Sequence, residues 1–193
     1  MSIKNIMTIK ELNLSGVFEI RLETKEDHRG FFMRTYQEEF FKKNGINKEW
    51  IQEYQNFSAK KGTIRGLHFQ LEPYSEAKLV RAIQGETLDV FVDLRKNSPN
   101  FGKWGSLILS PKNNNMIYIP RGFAHGLCSL SDNTMVICKL DNIYSPESEC
   151  QIKWDDPDLK IDWHITEQPT ISQKDSNAKS FKEFLNTIKG IQI

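Results

Sequence analysis

The chain has 193 residues, 38% hydrophobic and 26% charged, so it can bury a core of its own and has the make-up of an ordinary soluble protein. Its 26 basic and 25 acidic residues leave a formal net charge of +1, which gives no global positive field to attract nucleic acid or anionic lipid. A nucleotide partner would have to be held by a few local cations.

Near the N-terminus, MSIKNIMTIKELNLSG has no apolar run of signal-peptide length. After the breaker Gly16, Val17 to Leu22 reads as a strand. Asp27-His28-Arg29-Gly30 turns, Phe31 to Tyr36 reads as a second strand, and Gln37 to Lys43 as a short amphipathic helix closed near Asn44-Gly45. Thr63 to Gln70 is a strand set between Lys61-Gly62 and Glu72-Pro73. Ala77 to Gln84, Thr87 to Leu94 and Trp104 to Ser110 follow at near-regular spacing. Met116 to Ile119, His125 to Leu130 and Thr134 to Leu140 continue the series. Asp156 to Trp163 is a polar connection, and Ser180 to Lys189 a C-terminal helix with Phe181, Phe184, Leu185 and Ile188 on one face. Many short strands with turn signals predict a mainly β protein: a jelly roll, an antiparallel β-sandwich or barrel with short peripheral helices. With no repeat, linker or low-complexity tract, residues 1–193 are expected to form a single domain. The mouth of such a barrel is a natural small-ligand site.

Cys128, Cys138 and Cys150 are odd in number, too sparse for a disulfide framework, and lack the CxxC spacing of zinc sites. Reduced thiols in a cytoplasm are the plain reading. No stretch approaches the roughly 20 apolar residues of a membrane helix.

Three clusters offer chemistry. In Arg65-Gly66-Leu67-His68-Phe69-Gln70, strand alternation puts Arg65 and His68 on opposite faces. A bulge at Gly66 would bring both to one ligand; otherwise His68 is an ordinary strand histidine. Lys78 follows in Glu76-Ala77-Lys78-Leu79-Val80-Arg81, where it either faces solvent or points into a pocket beside that histidine. Two cations near one imidazole favour an anionic transition state such as an enolate. In Pro120-Arg121-Gly122-Phe123-Ala124-His125-Gly126, small residues let a ligand approach His125, unless it is only a turn histidine. The chain has no HxH pair to begin a metal set, so no metal is expected. Arg29 with Phe31-Phe32 could grip a phosphate and stack on a base, or form a polar turn before a core strand. In Ser172-Gln173-Lys174-Asp175, the carboxylate either orients a distant histidine or caps a local turn.

Taken together, the phrases DHRGFF, KKGTIRGLHFQ, AKLVRAIQGETLDVFVDLRKNSPNFGKW, IPRGFAHG, YSPES and IKWDDPDLKIDW resemble, in order, those of the dTDP-4-dehydrorhamnose 3,5-epimerase family. The resemblance implies a homodimeric cupin-type jelly roll that acts on a nucleotide-linked 4-keto sugar, usually dTDP-linked, without coenzyme or metal, in deoxysugar and surface-polysaccharide assembly. It implies His68 as the general base, Asp175 as its paired carboxylate and Lys78 as the group that stabilises the enolate oxygen. Arg65 and His125 would line the sugar and diphosphate pocket, and Tyr144 would stand close to the sugar. Arg29 and Phe32 would bind the nucleotide across the dimer interface.

One departure bears on mechanism. Where the family carries a tyrosine acid, this chain reads Val136-Ile137-Cys138-Lys139, so Cys138 stands in its place. A thiol of ordinary pKa about 8.5 can donate a proton but is shorter than a phenol by a ring. Either Cys138 or Tyr144 is then the expected acid, or the acid lies elsewhere. Arg34 stands where many relatives carry an acidic residue, and Glu53-Tyr54-Gln55-Asn56-Phe57-Ser58 corresponds loosely to the family's Gln/Asn-rich strand. The readings left open are double epimerisation, epimerisation at one carbon, a 3,4-ketoisomerase on a related sugar such as a GDP-linked heptose, and a sugar-nucleotide binding module without turnover. A metal-dependent cupin oxygenase is the weakest of the candidates.

Overall fold

The computed structural model describes residues 6–192. In chain order its strands are β1 (Met7–Glu11), β2 (Phe18–Leu22), β3 (Thr24–Asp27), β4 (Gly30–Met33), β5 (Gln52–Ser58), β6 (Ile64–Gln70), β7 (Lys78–Gln84), β8 (Thr87–Asp93), β9 (Trp104–Leu109), β10 (Asn115–Ile119), β11 (Phe123–Ser129), β12 (Thr134–Leu140) and β13 (Glu149–Gln151). The helices are α1 (Glu38–Lys43), α2 (Gln173–Ser176) and α3 (Phe181–Thr187). Among the described residues no helix is long and apolar enough to cross a membrane.

Two antiparallel sheets make the jelly roll. One runs β1-β2-β10-β7-β12-β5 and the other β13-β6-β11-β8-β9; β3 and β4 form a separate hairpin. Residue alternation dictates this layering. Along β12, Thr134, Val136, Cys138 and Leu140 are buried while Met135, Ile137 and Lys139 are half-exposed. Strand β8 is buried throughout, because both its faces are covered. Leu88, Val90 and Val92 pack outward beneath the C-terminal segment, with Trp163, Phe181 and Phe184. Phe91 packs inward with Val80, Ile117, Leu127 and Cys138, between the sheets.

Helix α3 covers that outer face. Ser180 caps it and exchanges hydrogen bonds with Glu183, a capping box that satisfies first-turn amides. Phe184 meets Phe69 edge-on at 5.5 Å, so the helix braces the strand that carries His68.

Four strands and one helix lie beyond the predicted elements. Thr24–Asp27 has no apolar residue to mark it and is held only by pairing with Gly30–Met33. Met7–Glu11 and Gln52–Ser58 are edge strands of their sheet, with largely polar sequences. Glu149–Gln151 and Gln173–Ser176 are too short to carry a period.

Candidate active site

A cavity of about 480 Å³ opens between the sheets. From the five-stranded sheet it receives Arg65, His68, Gln70 and Glu149; from the six-stranded sheet, Tyr54, Asn56 and Lys78. The segment around α2 adds Thr170, Ser172, Lys174 and Asp175.

A bulge brings Arg65 and His68 to the same face. Strand β11 pairs His125 with His68 but Leu127 with Arg65, so two steps on one strand span three on the other. His125 and Leu127 share a face, and their partners therefore do too. Gly66 sits in the bulge at φ +112°, and a Cβ there would lie 2.6 Å from the His125 carbonyl oxygen and 2.8 Å from the Gly126 Cα. No side chain fits.

His68 Nε2 lies 2.6 Å from Asp175 Oδ1. Asp175 is the third residue of α2, held there by its amide donating to the Ser172 hydroxyl at 3.0 Å. Burial works against its charge. The hydrogen bond and charge of His68, with the Gly66 amide and Ser172, outweigh burial and hold its carboxyl below the usual range. An anionic Asp175 accepts, so Nε2 carries the proton and Nδ1 is left as the basic nitrogen. Nδ1 has no protein hydrogen-bond partner among the described residues. The arrangement is an imidazole whose orientation and tautomer are fixed by a carboxylate.

Lys78 is 5% exposed, and its ammonium lies 3.2 Å from Glu76 Oε1. Gln70 donates to the other oxygen of Glu76 at 2.9 Å. The buried cation therefore has its counter-ion, and it keeps a donor to offer the cavity. The Tyr144 hydroxyl donates to Glu149 Oε2 at 2.7 Å, and Lys174 donates to the same oxygen at 2.6 Å. Arg65 donates to the Phe57 carbonyl and the Ser58 hydroxyl, which fixes its guanidinium at the rim.

The structure thus gathers Arg65, His68, Lys78, Tyr144 and Asp175 at one cavity, and sets the other four expected residues apart from its wall. His125 is buried behind it, with Nε2 2.9 Å from Asp89 Oδ2. Cys138 is 1% exposed, and burial, only partly countered by the charge of Lys78 and a hydrogen bond to Tyr54, pushes its thiol up to about 12. Arg29 and Phe32 sit on the β3–β4 hairpin, where Phe32 is 61% exposed and Arg29 pairs with Asp27 at 2.6 Å. Sequence reasoning assigned no role to Tyr54, Gln70, Glu76, Glu149 or Lys174. Only Glu76 left a signal, as a carboxylate two residues from Lys78.

A jelly roll whose inter-sheet cavity opposes a histidine–aspartate pair to a buried lysine is a site built for proton transfer at an acidic carbon. The chain is similar to proteins of one family. The family model described as dTDP-4-dehydrorhamnose 3,5-epimerase matches residues 11–183. The dTDP-4-dehydrorhamnose 3,5-epimerase of Methanothermobacter thermautotrophicus is 44% identical over 173 residues, covering 89% of this chain and 92% of its own. The crystal structure of dTDP-6-deoxy-D-glucose-3,5-epimerase from Legionella pneumophila, in complex with dTDP-4-keto-L-rhamnose, superposes with a TM-score of 0.89 at 37% identity, over 97% of this chain and 98% of that one. A 3'-monoepimerase from Streptomyces bikiniensis, in complex with dTDP-quinovose, superposes with a TM-score of 0.87 at 27% identity, over 94% and 91%. The chain belongs to the dTDP-4-dehydrorhamnose 3,5-epimerase family.

Proposed function

We propose that this enzyme inverts carbons 3 and 5 of a dTDP-linked 4-keto-6-deoxy sugar through an enolate. The observation that carries the reading is the His68–Asp175 pair facing Lys78 across one cavity. The ketone at carbon 4 acidifies the hydrogens on both neighbouring carbons. His68 Nδ1 takes one, becoming an imidazolium that Asp175 stabilises. Charge moves to the ketone oxygen, where the Lys78 ammonium stabilises it in a water-poor site. A proton returned from the opposite face inverts the carbon. Arg65 and Lys174 add positive charge at the cavity for the diphosphate.

Arg29 and Phe32 take the nucleotide in this reading, Phe32 by stacking on the base and Arg29 by contact with phosphate. They project on an exposed hairpin outside the two main sheets. That placement supports a homodimer in which each hairpin reaches the neighbouring subunit's site. His125 acts behind the cavity wall, as a support for β6. The cytoplasm suits three unpaired thiols.

Proton NMR of the product formed from dTDP-4-dehydro-6-deoxyglucose tests the proposal. Inversion at both carbons is expected. Inversion at one carbon would place the enzyme with the monoepimerases, and tight binding without turnover would make it a binding module.

A further inference from the structure

The proposed reaction requires an acid on the face of the sugar opposite His68, and the structure assigns that role to Tyr54. The inference rests on the epimerase reading above and names the residue that completes it. Position 138, where the acid is expected from the sequence, holds a thiol that does not reach the cavity. Its neighbour does. In the antiparallel pairing of β12 with β5, Cys138 stands directly opposite Tyr54, so the two side chains share the inner face of the six-stranded sheet. Cys138 also pairs with Val80 on its other side, and Lys78 lies two residues along the same strand on the same face. Tyr54 and Lys78 therefore line one wall of the cavity, two strands apart, and the strand between them presents only the small Cys138.

Geometry separates Tyr54 from the other candidate phenol. Tyr144 has its hydroxyl on Glu149, which pairs with Gln70 on the strand that also carries His68. Its hydroxyl hydrogen is already engaged by that carboxylate, and it stands on the base's side. Tyr54 comes from the facing sheet. A sugar ring lying between the sheets presents one face to His68 and the other to Tyr54, which is the arrangement inversion demands. Tyr54 lines the cavity and is 37% exposed, and its hydroxyl feels the neighbouring Cys138, Glu76 and Asp89. Burial first, and then the neighbouring thiol, raises its pKa, so the hydroxyl keeps its proton at neutral pH. The smaller residue at 138 leaves the phenol from the adjacent strand room to occupy the space between the sheets.

The step balances without a co-reactant. The sugar C–H bond breaks to His68 Nδ1, and its electron pair forms the enolate double bond. The Tyr54 O–H bond then breaks and a new C–H bond forms on the opposite face, leaving a phenolate near Lys78. Water returns a proton to the phenolate and removes one from the imidazolium.

The test is the NMR of dTDP-4-dehydro-6-deoxyglucose incubated in deuterium oxide with wild type, Tyr54→Phe and Tyr144→Phe. We expect Tyr54→Phe to keep deuterium uptake within about tenfold of wild type while losing inversion by about a hundredfold or more, a general-acid effect. Uptake with retained configuration is itself the sign that the variant is folded and that His68 works. Inversion at the wild-type rate in Tyr54→Phe would overturn the assignment. So would loss of inversion in Tyr144→Phe alone, or equal loss of uptake and inversion in a Tyr54→Phe protein of wild-type thermal midpoint. If wild type takes up no deuterium, the epimerase reading itself has failed.

Discussion

At the scale of a single residue, Asp175 makes the candidate site sensitive to pH. Its carboxyl titrates below the ordinary value of 3.8 in the folded protein, so its contribution to stability is present above that value and is lost as pH falls through its lower folded value. The stability gap between wild type and Asp175→Asn should therefore be open at pH 6 and close in acid, below about pH 4. Urea unfolding at the two pH values measures it; a gap unchanged at pH 3 would show that the carboxylate is not what the site uses. Asp175→Asn should also slow turnover, since an amide cannot stabilise imidazolium. Burial gives Cys138 the opposite behaviour: with its thiol pushed up to about 12, it should resist alkylation in the native protein at pH 8 and react once unfolded. Mass spectrometry after iodoacetamide reads this directly, and rapid labelling of native Cys138 would contradict its placement.

At the scale of elements, the bulge in β6 decides which residues share the cavity. Gly66→Ala puts a Cβ where the His125 carbonyl lies, at a backbone angle that disfavours any side chain. We expect a loss of roughly 3 kcal/mol or more, a fall in thermal midpoint of about 6–12 °C, and a misplaced His68. A midpoint unchanged by calorimetry would show that the strand absorbs the residue. The sequence carries this feature openly, because a glycine between an arginine and a histidine at odd spacing is the one place where strand alternation can be broken. The nine predicted strands are legible for the same reason: apolar residues at period 2, bounded by Gly, Pro and Asn. Thr24–Asp27 and Gln52–Ser58 are not, since their pairing rather than their composition makes them strands. Tyr54 escaped for that reason. Its partnership with Cys138 is a matter of cross-strand register, and nothing local in Glu53-Tyr54-Gln55 marks which side faces the cavity. The pairing of His68 with Asp175 spans 107 residues and is equally invisible to periodicity; it entered through the resemblance of whole phrases.

The whole molecule divides into a packed double sheet and an exposed hairpin, and substitutions should divide the same way. Phe32→Ala and Arg29→Ala remove side chains that rest on solvent, so the thermal midpoint should move by no more than about 2 °C. If the hairpin holds the nucleotide, KM should rise about tenfold or more with kcat little changed, the signature of lost ground-state binding. Sedimentation should give twice the chain mass, and a monomer with full activity would contradict the shared-site arrangement. With a net charge of +1, the chain offers a nucleotide no general field, so in the proposed reading binding depends on a few local cations.

In the proposed mechanism the imidazole of residue 68 removes a proton from the carbon beside the ketone. Deuterium uptake from solvent into dTDP-4-dehydro-6-deoxyglucose, compared between wild type and His68→Asn, reads that event without depending on the later return of a proton. Uptake should fall by about a hundredfold to ten-thousandfold in His68→Asn, with nucleotide affinity preserved. Uptake at the wild-type rate in a folded His68→Asn protein would contradict the mechanism and move the base to another residue.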